Sequence, residues 1–211
     1  MASEGNEVTT VRAWTFGEMS LVVNRGGRLD RLCGELHQEF PCLLMQFKTG
    51  HWYWRALGWI VLLVTFGGNK EFVKSYTTTF RRTIGWSSTY EERIEKRTPD
   101  WEDRVWSCLM HEREHLRQFE RWGMLLMTLS YVFVFFPVGL AWCRAYFERA
   151  GYYQTMRCWY LLDPSWARSQ AAKDWWVSQF TTGAYGWMWP FKKAVSAWYT
   201  TELSRIEAAA A

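Results

Sequence analysis

His111-Glu112-Arg113-Glu114-His115 is the one place in this chain where residue types and spacing alone imply chemistry. On an α-helix, positions i and i+4 share a face, so both imidazoles can reach one metal ion while Glu112 projects beside them. Two neutral histidines, a third protein ligand and a water make up the tetrahedral shell of a catalytic zinc site. Zn²⁺ held in that way lowers the pKa of its water toward ~7, and a carboxylate next to the first histidine can take the proton as the water attacks a carbonyl carbon. The pattern therefore nominates His111 and His115 as metal ligands and Glu112 as general base. The plainer alternative is a pair of histidines on an amphipathic helix that bind nothing. A di-iron carboxylate site would need a second E-x-x-H, and the other histidines, His37 and His51, follow Gly34 and Lys48 at i−3 and supply none.

The motif needs a helix, and its surroundings provide one. Thr98-Pro99-Asp100-Trp101-Glu102-Asp103 combines a capping residue, proline at the first helical position and three acids in the first turn, all favourable at a helix N-terminus. The spacing predicts a helix from near Pro99 to about Trp122, with Gly123 as its stop. A third ligand must then be found. No histidine follows His115, so it must be a carboxylate or a thiolate, and the downstream candidates are Cys143, Glu148, Cys158, Asp163, Asp174, Glu202 and Glu207. Glu148 is the best placed, in a polar and aromatic helical segment, 144–153, directly after a long apolar stretch.

With these residues the chain resembles the gluzincin metallopeptidases, and more closely a group of small bacterial zincin-like proteins. In that group the first motif reads His-Glu-x-x-His-x-x-Gln and the second Glu-x-Glu-Ala-Tyr. Here His111 to Gln118 matches the first, and Phe147-Glu148-Arg149-Ala150-Gly151-Tyr152 matches the second, with Ala150 and Gly151 where Glu-Ala is expected. The resemblance runs from about Tyr76 through Pro190, including Tyr76-Thr77-Thr78-Thr79 and Ile84-Gly85 before the helix and Tyr185-Gly186-Trp187-Met188-Trp189-Pro190 after it. It implies Glu148 as the third zinc ligand, a peptide or protein as substrate, and one zincin-like domain over residues 1–211. With no downstream histidine to stabilise a developing oxyanion, a tyrosine is expected in that role, Tyr185 or Tyr152. The expected function is that of a zinc-dependent peptidase. The competing class is a catalytically inactive zincin-like protein that binds a partner or a membrane through Trp-rich surfaces.

Composition narrows the field. The chain's 211 residues suit one domain with a substantial core. Sixteen tryptophans are exceptional: such a chain has either a very aromatic core or a surface that lies against something apolar. The net charge of +4 is mixed through the sequence without a basic stripe, so nucleic acid is not an expected partner. Five cysteines form no C-x-x-C pair and leave an odd one over, which fits a reduced interior better than a disulfide framework. The acidic, polar first seven residues show no secretory signal, so a cytoplasmic or membrane-associated location is expected, and nothing bears on oligomeric state.

The apolar stretch conflicts with the metal site unless it bends. From Trp122 to Cys143 there is no charge, and the run is hydrophobic enough to suggest a membrane span. As one helix it would carry the chain about 33 Å and leave His115 and Glu148 on opposite sides of a bilayer. Zinc ligands lie within ~2.0 to 2.3 Å of their metal, so the stretch is expected to return as a buried or membrane-dipping hairpin broken at Pro137 and Gly139. A second apolar run, Leu57 to Gly68, is too short to span and reads as a core element. Val11 to Phe16 and Met19 to Val23 are expected as strands and Arg28 to Phe40 as a helix; Phe72 to Ile84, rich in Tyr and Thr, is expected at a sheet edge beside the motif helix. From Asp163 onward the pattern suggests helices with aromatic loops. The fold class is α+β, helix-dominated.

Overall fold

The computed structural model describes residues 10–64, 72–132, 142–182 and 188–210. β1 (Val11–Phe16) pairs antiparallel with β2 (Met19–Asn24), Phe16 opposite Met19. Along β2, Met19, Leu21 and Val23 are buried and Ser20 and Asn24 exposed, the alternation that a strand with one covered face requires. α1 (Arg28–Glu39) buries Leu29, Leu32, Cys33 and Leu36 at helical spacing and lies against both strands. All three elements fall where the sequence pattern places them.

A second sheet has the order β3-β5-β4: β5 (Thr83–Trp86) is parallel to β3 (Leu44–Phe47) and antiparallel to β4 (Thr78–Phe80). A 3-10 turn (Lys48–Gly50), α2 (Trp52–Val64) and α3 (Phe72–Ser75) lie between β3 and β4 in the chain. The run from Leu57 to Gly68, expected as a core element, is the second half of α2, where Leu57 and Gly58 are half-buried but Trp59 is exposed; residues 65–68 lie outside the described residues. The edge expected over Phe72 to Ile84 becomes strand only at Thr78, because a buried charge claims the residues before it. The Lys48 ammonium, fully buried, donates to the carbonyl oxygens of Tyr76 (2.7 Å) and Phe72 (3.3 Å) and to Thr78 Oγ1 (2.7 Å). In an extended segment the carbonyls of positions i and i+4 would stand about 13 Å apart, whereas one helical turn brings them within about 6 Å, close enough to share one cation. A buried ammonium without such acceptors would be prohibitively costly. Burial presses the Lys48 pKa down to about 7, against the pull of Glu112 and Cys108.

α4 (Ser88–Lys96) ends on Arg97 in the left-handed conformation, and α5 (Trp101–Val132) follows. α5 starts two residues later than Pro99. Asp100, at φ +65°, turns the chain, its carbonyl accepts from the Arg104 amide (3.0 Å), and its carboxylate pairs with Arg104 Nε (2.7 Å). At Gly123 the helix breaks, with φ 75° and ψ 160°, and resumes through Val132 in a new direction. The expected stop is therefore a kink, at a conformation that only glycine adopts cheaply.

α6 (Trp142–Leu162) runs antiparallel to α5. Trp122 packs on Phe147, Gln118 donates to the Phe147 carbonyl, Gln154 donates to Glu114, and Thr155 reaches His111. The chain thus returns to the side it left, as the metal hypothesis demands; Pro137 and Gly139 lie outside the described residues. Among the described residues, no helix is long and apolar enough to cross a membrane. α7 (Pro164–Ala167), α8 (Gln170–Thr181) and α9 (Lys192–Ala210) complete the helix-dominated α+β fold, and the five cysteines are free thiols.

Two apolar clusters result. One gathers β1, β2, α1, β3 and β5 around Val105, Trp106, Leu109 and Leu116 of α5; the other gathers Ala145, Tyr152 and Met156 of α6 with α8 and α9. Within the first half of the chain, β5 depends on a missing side chain: a Cβ at Gly85 would stand 2.5 Å from the buried Trp54 indole. Gly85→Ala is therefore expected to destabilise the fold by about 1–3 kcal/mol, the range for overpacking a filled core, read as a lowered midpoint in urea at unchanged slope.

Candidate metal centre

The roll of α5 about its axis is fixed from its outer face. Arg113 forms ion pairs with Glu35 (2.6 Å) and Glu39 (2.6 Å) of α1, Arg117 pairs with Glu39 (2.6 Å), and the Asn24 amide at the end of β2 donates to Glu102 (2.8 Å). With those positions held against α1, the positions of His111 and His115 face α6.

There the three nominated ligands meet. His111 Nε2 lies 3.0 Å from His115 Nε2 and 3.4 Å from Glu148 Oε2, and His115 Nε2 lies 3.8 Å from the same carboxylate oxygen. Among the described residues this is the one grouping of histidine, cysteine or acidic side chains that could hold a metal ion. Tetrahedral ligands at ~2.0–2.1 Å from a zinc ion stand ~3.3 Å from one another, so the three separations bracket the expected edge.

The outer nitrogens decide what the inner ones can be. Thr155 Oγ1 donates to the Gly151 carbonyl (3.2 Å) and so accepts from His111 Nδ1 (3.3 Å). Gln118 donates its amide to the Phe147 carbonyl (3.0 Å), which leaves Gln118 Oε1 to accept from His115 Nδ1 (2.9 Å). Both neutral rings then carry their proton on Nδ1 and turn a lone pair on Nε2 toward the other and toward a carboxylate. Three acceptors at this spacing require a proton or a cation among them.

Electrostatics agree. Burial would raise the Glu148 carboxyl, but the hydrogen bond from His111 and the charges of His115, His111 and Arg144 bring it down to about 2. Burial would lower His111, yet the hydrogen bond and charge of Glu148, with Glu112 and Glu114, lift it above its ordinary 6.5. Glu112 is also buried; its Oε2 accepts from the Thr79 hydroxyl (2.7 Å), which ties it to edge strand β4. Tyr152 packs edge-on against the His111 ring, centroids 4.9 Å apart, with Trp176 and Phe180 around it. Tyr185 lies outside the described residues.

Four contributors had no role in the sequence reading, although Gln118, Thr79 and Gly151 stand within the motifs it compared. Gln118 stands at i+3 from His115, a spacing from which its contact was predictable. Thr79 and Thr155 act across 33 and 44 positions of chain and leave no local signal. Gly151 matters through absence, since a Cβ there would stand 2.7 Å from His111 Nε2. Gly151 thus leaves room for the His111 ring where α6 meets the motif helix.

Comparison with protein-family profiles, with curated proteins and with solved structures found no match to this chain.

Gly151→Ala separates site from scaffold. Alanine is the better helix former by roughly 0.5–1 kcal/mol, so α6 should persist while the displaced His111 ring weakens zinc binding at least about tenfold. Titration with a chromophoric zinc chelator alongside circular dichroism measures both. Unchanged zinc affinity would show that the His111 ring is not placed by this contact.

Proposed function

We propose that this protein is a zinc-dependent peptidase of zincin-like architecture, with Zn²⁺ on His111, His115 and Glu148 and Glu112 as general base. The observation that carries the reading is the convergence of two Nε2 lone pairs and a buried carboxylate oxygen, 3.0–3.8 Å apart, beside a glutamate held by an edge strand. Bound there, the metal supplies Lewis acidity, which lowers the pKa of a water toward ~7 and polarises a carbonyl. With Thr79 on Glu112 Oε2, Oε1 is the atom left to accept a proton and return it to the leaving amine. β4, which pairs only with β5 among the described residues, offers an edge on which an extended peptide can add as a strand. The oxyanion donor is Tyr152 or Tyr185; a Phe substitution that lowers turnover at constant zinc content identifies it.

The purified protein is expected to carry about one zinc per chain, and His111→Ala to lose it. Glu112→Gln should keep the zinc and lower cleavage of a responsive peptide by roughly a hundred- to ten-thousand-fold. Folded wild type without zinc in chelator-free buffer would sink the proposal. Wild type that holds zinc yet cleaves nothing in a diverse peptide library would favour a metal-stabilised binding protein, a reading that exposed Trp52, Trp59 and Trp142 make worth testing.

Acidity gives a second test. In the metal-free protein the raised His111 pKa contributes stability that is complete below 6.5 and lost as pH climbs through its folded value. Glu148, depressed from 4.5 to about 2, contributes stability that is complete above 4.5 and lost as pH falls through about 2. Zinc competes with the His111 proton, so its dissociation constant should weaken about tenfold for each pH unit below the His111 pKa. Thermal unfolding between about pH 6 and 8 is expected to show zinc adding more stability as pH rises, while the chelated protein loses the His111 contribution. A zinc increment independent of pH would remove His111 from the ligand set.

A further inference from the structure

Where α5 breaks at Gly123, the character of the hairpin changes. Before the break, α5 carries the ion pairs to α1 and the metal ligands. Beyond it, Met124, Leu125, Leu126 and Leu129 are exposed, Leu125 at 70%, and Trp142 and Tyr146 at the start of α6 are exposed at 57% and 53%. From Trp122 to Cys143 the sequence contains no charged residue. Contiguous apolar exposure of this kind on a protein surface marks an interaction site.

The level of the break is set out by aromatic rings. Trp122 meets Phe147 at 6.2 Å, Phe147 meets Tyr146 at 5.6 Å, and Tyr146 stacks on Trp142 at 5.8 Å, so one chain of rings crosses from α5 to α6. Arg121, exposed, lies over the Trp122 ring at 5.6 Å, whereas Arg144 on α6 is half-buried and its charge acts on Glu148. Tryptophan and tyrosine favour the boundary between hydrocarbon and water, and arginines beside them are drawn to anionic headgroups. Past the ring belt, Met124–Val132 is nine residues, about 13 Å of helix against a hydrocarbon core of ~30 Å.

We propose that the apolar face formed beyond the Gly123 break by Met124 to Leu129 of α5 with Trp142 and Tyr146 of α6 is a docking surface for a phospholipid bilayer bearing anionic headgroups. Leu125, Leu126 and Leu129 enter the acyl region, the Trp122–Trp142 ring belt lies at the headgroup boundary, and Arg121 binds the anionic groups. The surface is independent of whether the metal centre hydrolyses peptides.

Sedimentation of the full chain with vesicles tests this. Wild type should bind phosphatidylcholine vesicles containing about a quarter phosphatidylserine, and bind pure phosphatidylcholine more weakly. Leu125→Glu and Trp142→Ser, both at exposed positions away from the ligands, should each weaken binding at least about tenfold. Arg121→Ser should weaken it roughly fivefold, and only on the anionic vesicles. Circular dichroism and zinc content verify that the variants fold. The proposal is overturned if wild type stays in the supernatant with both vesicles, if Leu125→Glu binds as wild type does, or if salt alone abolishes binding while Leu125→Glu has no effect. Wild type that ignores vesicles but self-associates in solution, with Leu125→Glu monomeric, would also overturn it and assign the face to a second copy of the chain.

Discussion

The closeness of α5 and α6 at one level, where the His111 imidazole lies where a side chain at position 151 would be, is the constraint on which the centre depends. Only a hydrogen at that position lets the two helices stand near enough for Glu148 to reach both Nε2 atoms. The same closeness puts Gln118 within reach of the Phe147 carbonyl and Thr155 within reach of His111, so the bonds that orient the imidazoles are made by the packing that brings the carboxylate in. Positioning and ligation are thus one event. The acceptors so gathered are costly to bury without a positive charge among them, and the Glu148–His111 proton meets that need when no metal does.

The second support comes from the other side of α5. Lys48 collects the Phe72 and Tyr76 carbonyls and the Thr78 hydroxyl, and so sets where β4 begins; β4 in turn presents Thr79 to Glu112. One buried ammonium therefore governs the register of an edge strand and, through it, one carboxylate oxygen of the H-E-x-x-H motif. Two of its three acceptors are backbone carbonyls and the third is a neutral hydroxyl, so the lysine is satisfied without an acidic hydrogen-bond partner.

How much of this was legible in the sequence follows from the range over which each signal acts. The motif helix, the hairpin of β1 and β2 and the helix α1 are written in periods of 3.6 and 2, and all lie where those periods put them. Gly123 was legible as a stop because a positive φ is a local property. Elimination left seven candidates for the third ligand, of which Glu148, favoured by its position after the apolar stretch and by the family resemblance, is the one that lies beside the two histidines; the return of the chain was legible by contradiction, since a spanning helix would have parted the ligands. Phe72 to Ser75 read as strand from its composition and is helix because of Lys48, more than twenty residues away. Asp100 took the place of Thr98 because the link from α4 turns through left-handed residues, which capping preferences do not encode. Thr155 and Gly151 were silent for the same reason: what they do exists only once two helices touch.

The ligands are drawn from both apolar clusters, the histidines from the helix that centres the first and Glu148 from the helix that opens the second. A chain that emerges in order from its N-terminus completes the motif helix well before Glu148 is available, and the donors cannot close until the second cluster docks. Any cation held there would for that reason be taken up late in maturation. The three donors stand together only on a molecule whose two halves have already met, and their meeting marks a completed fold.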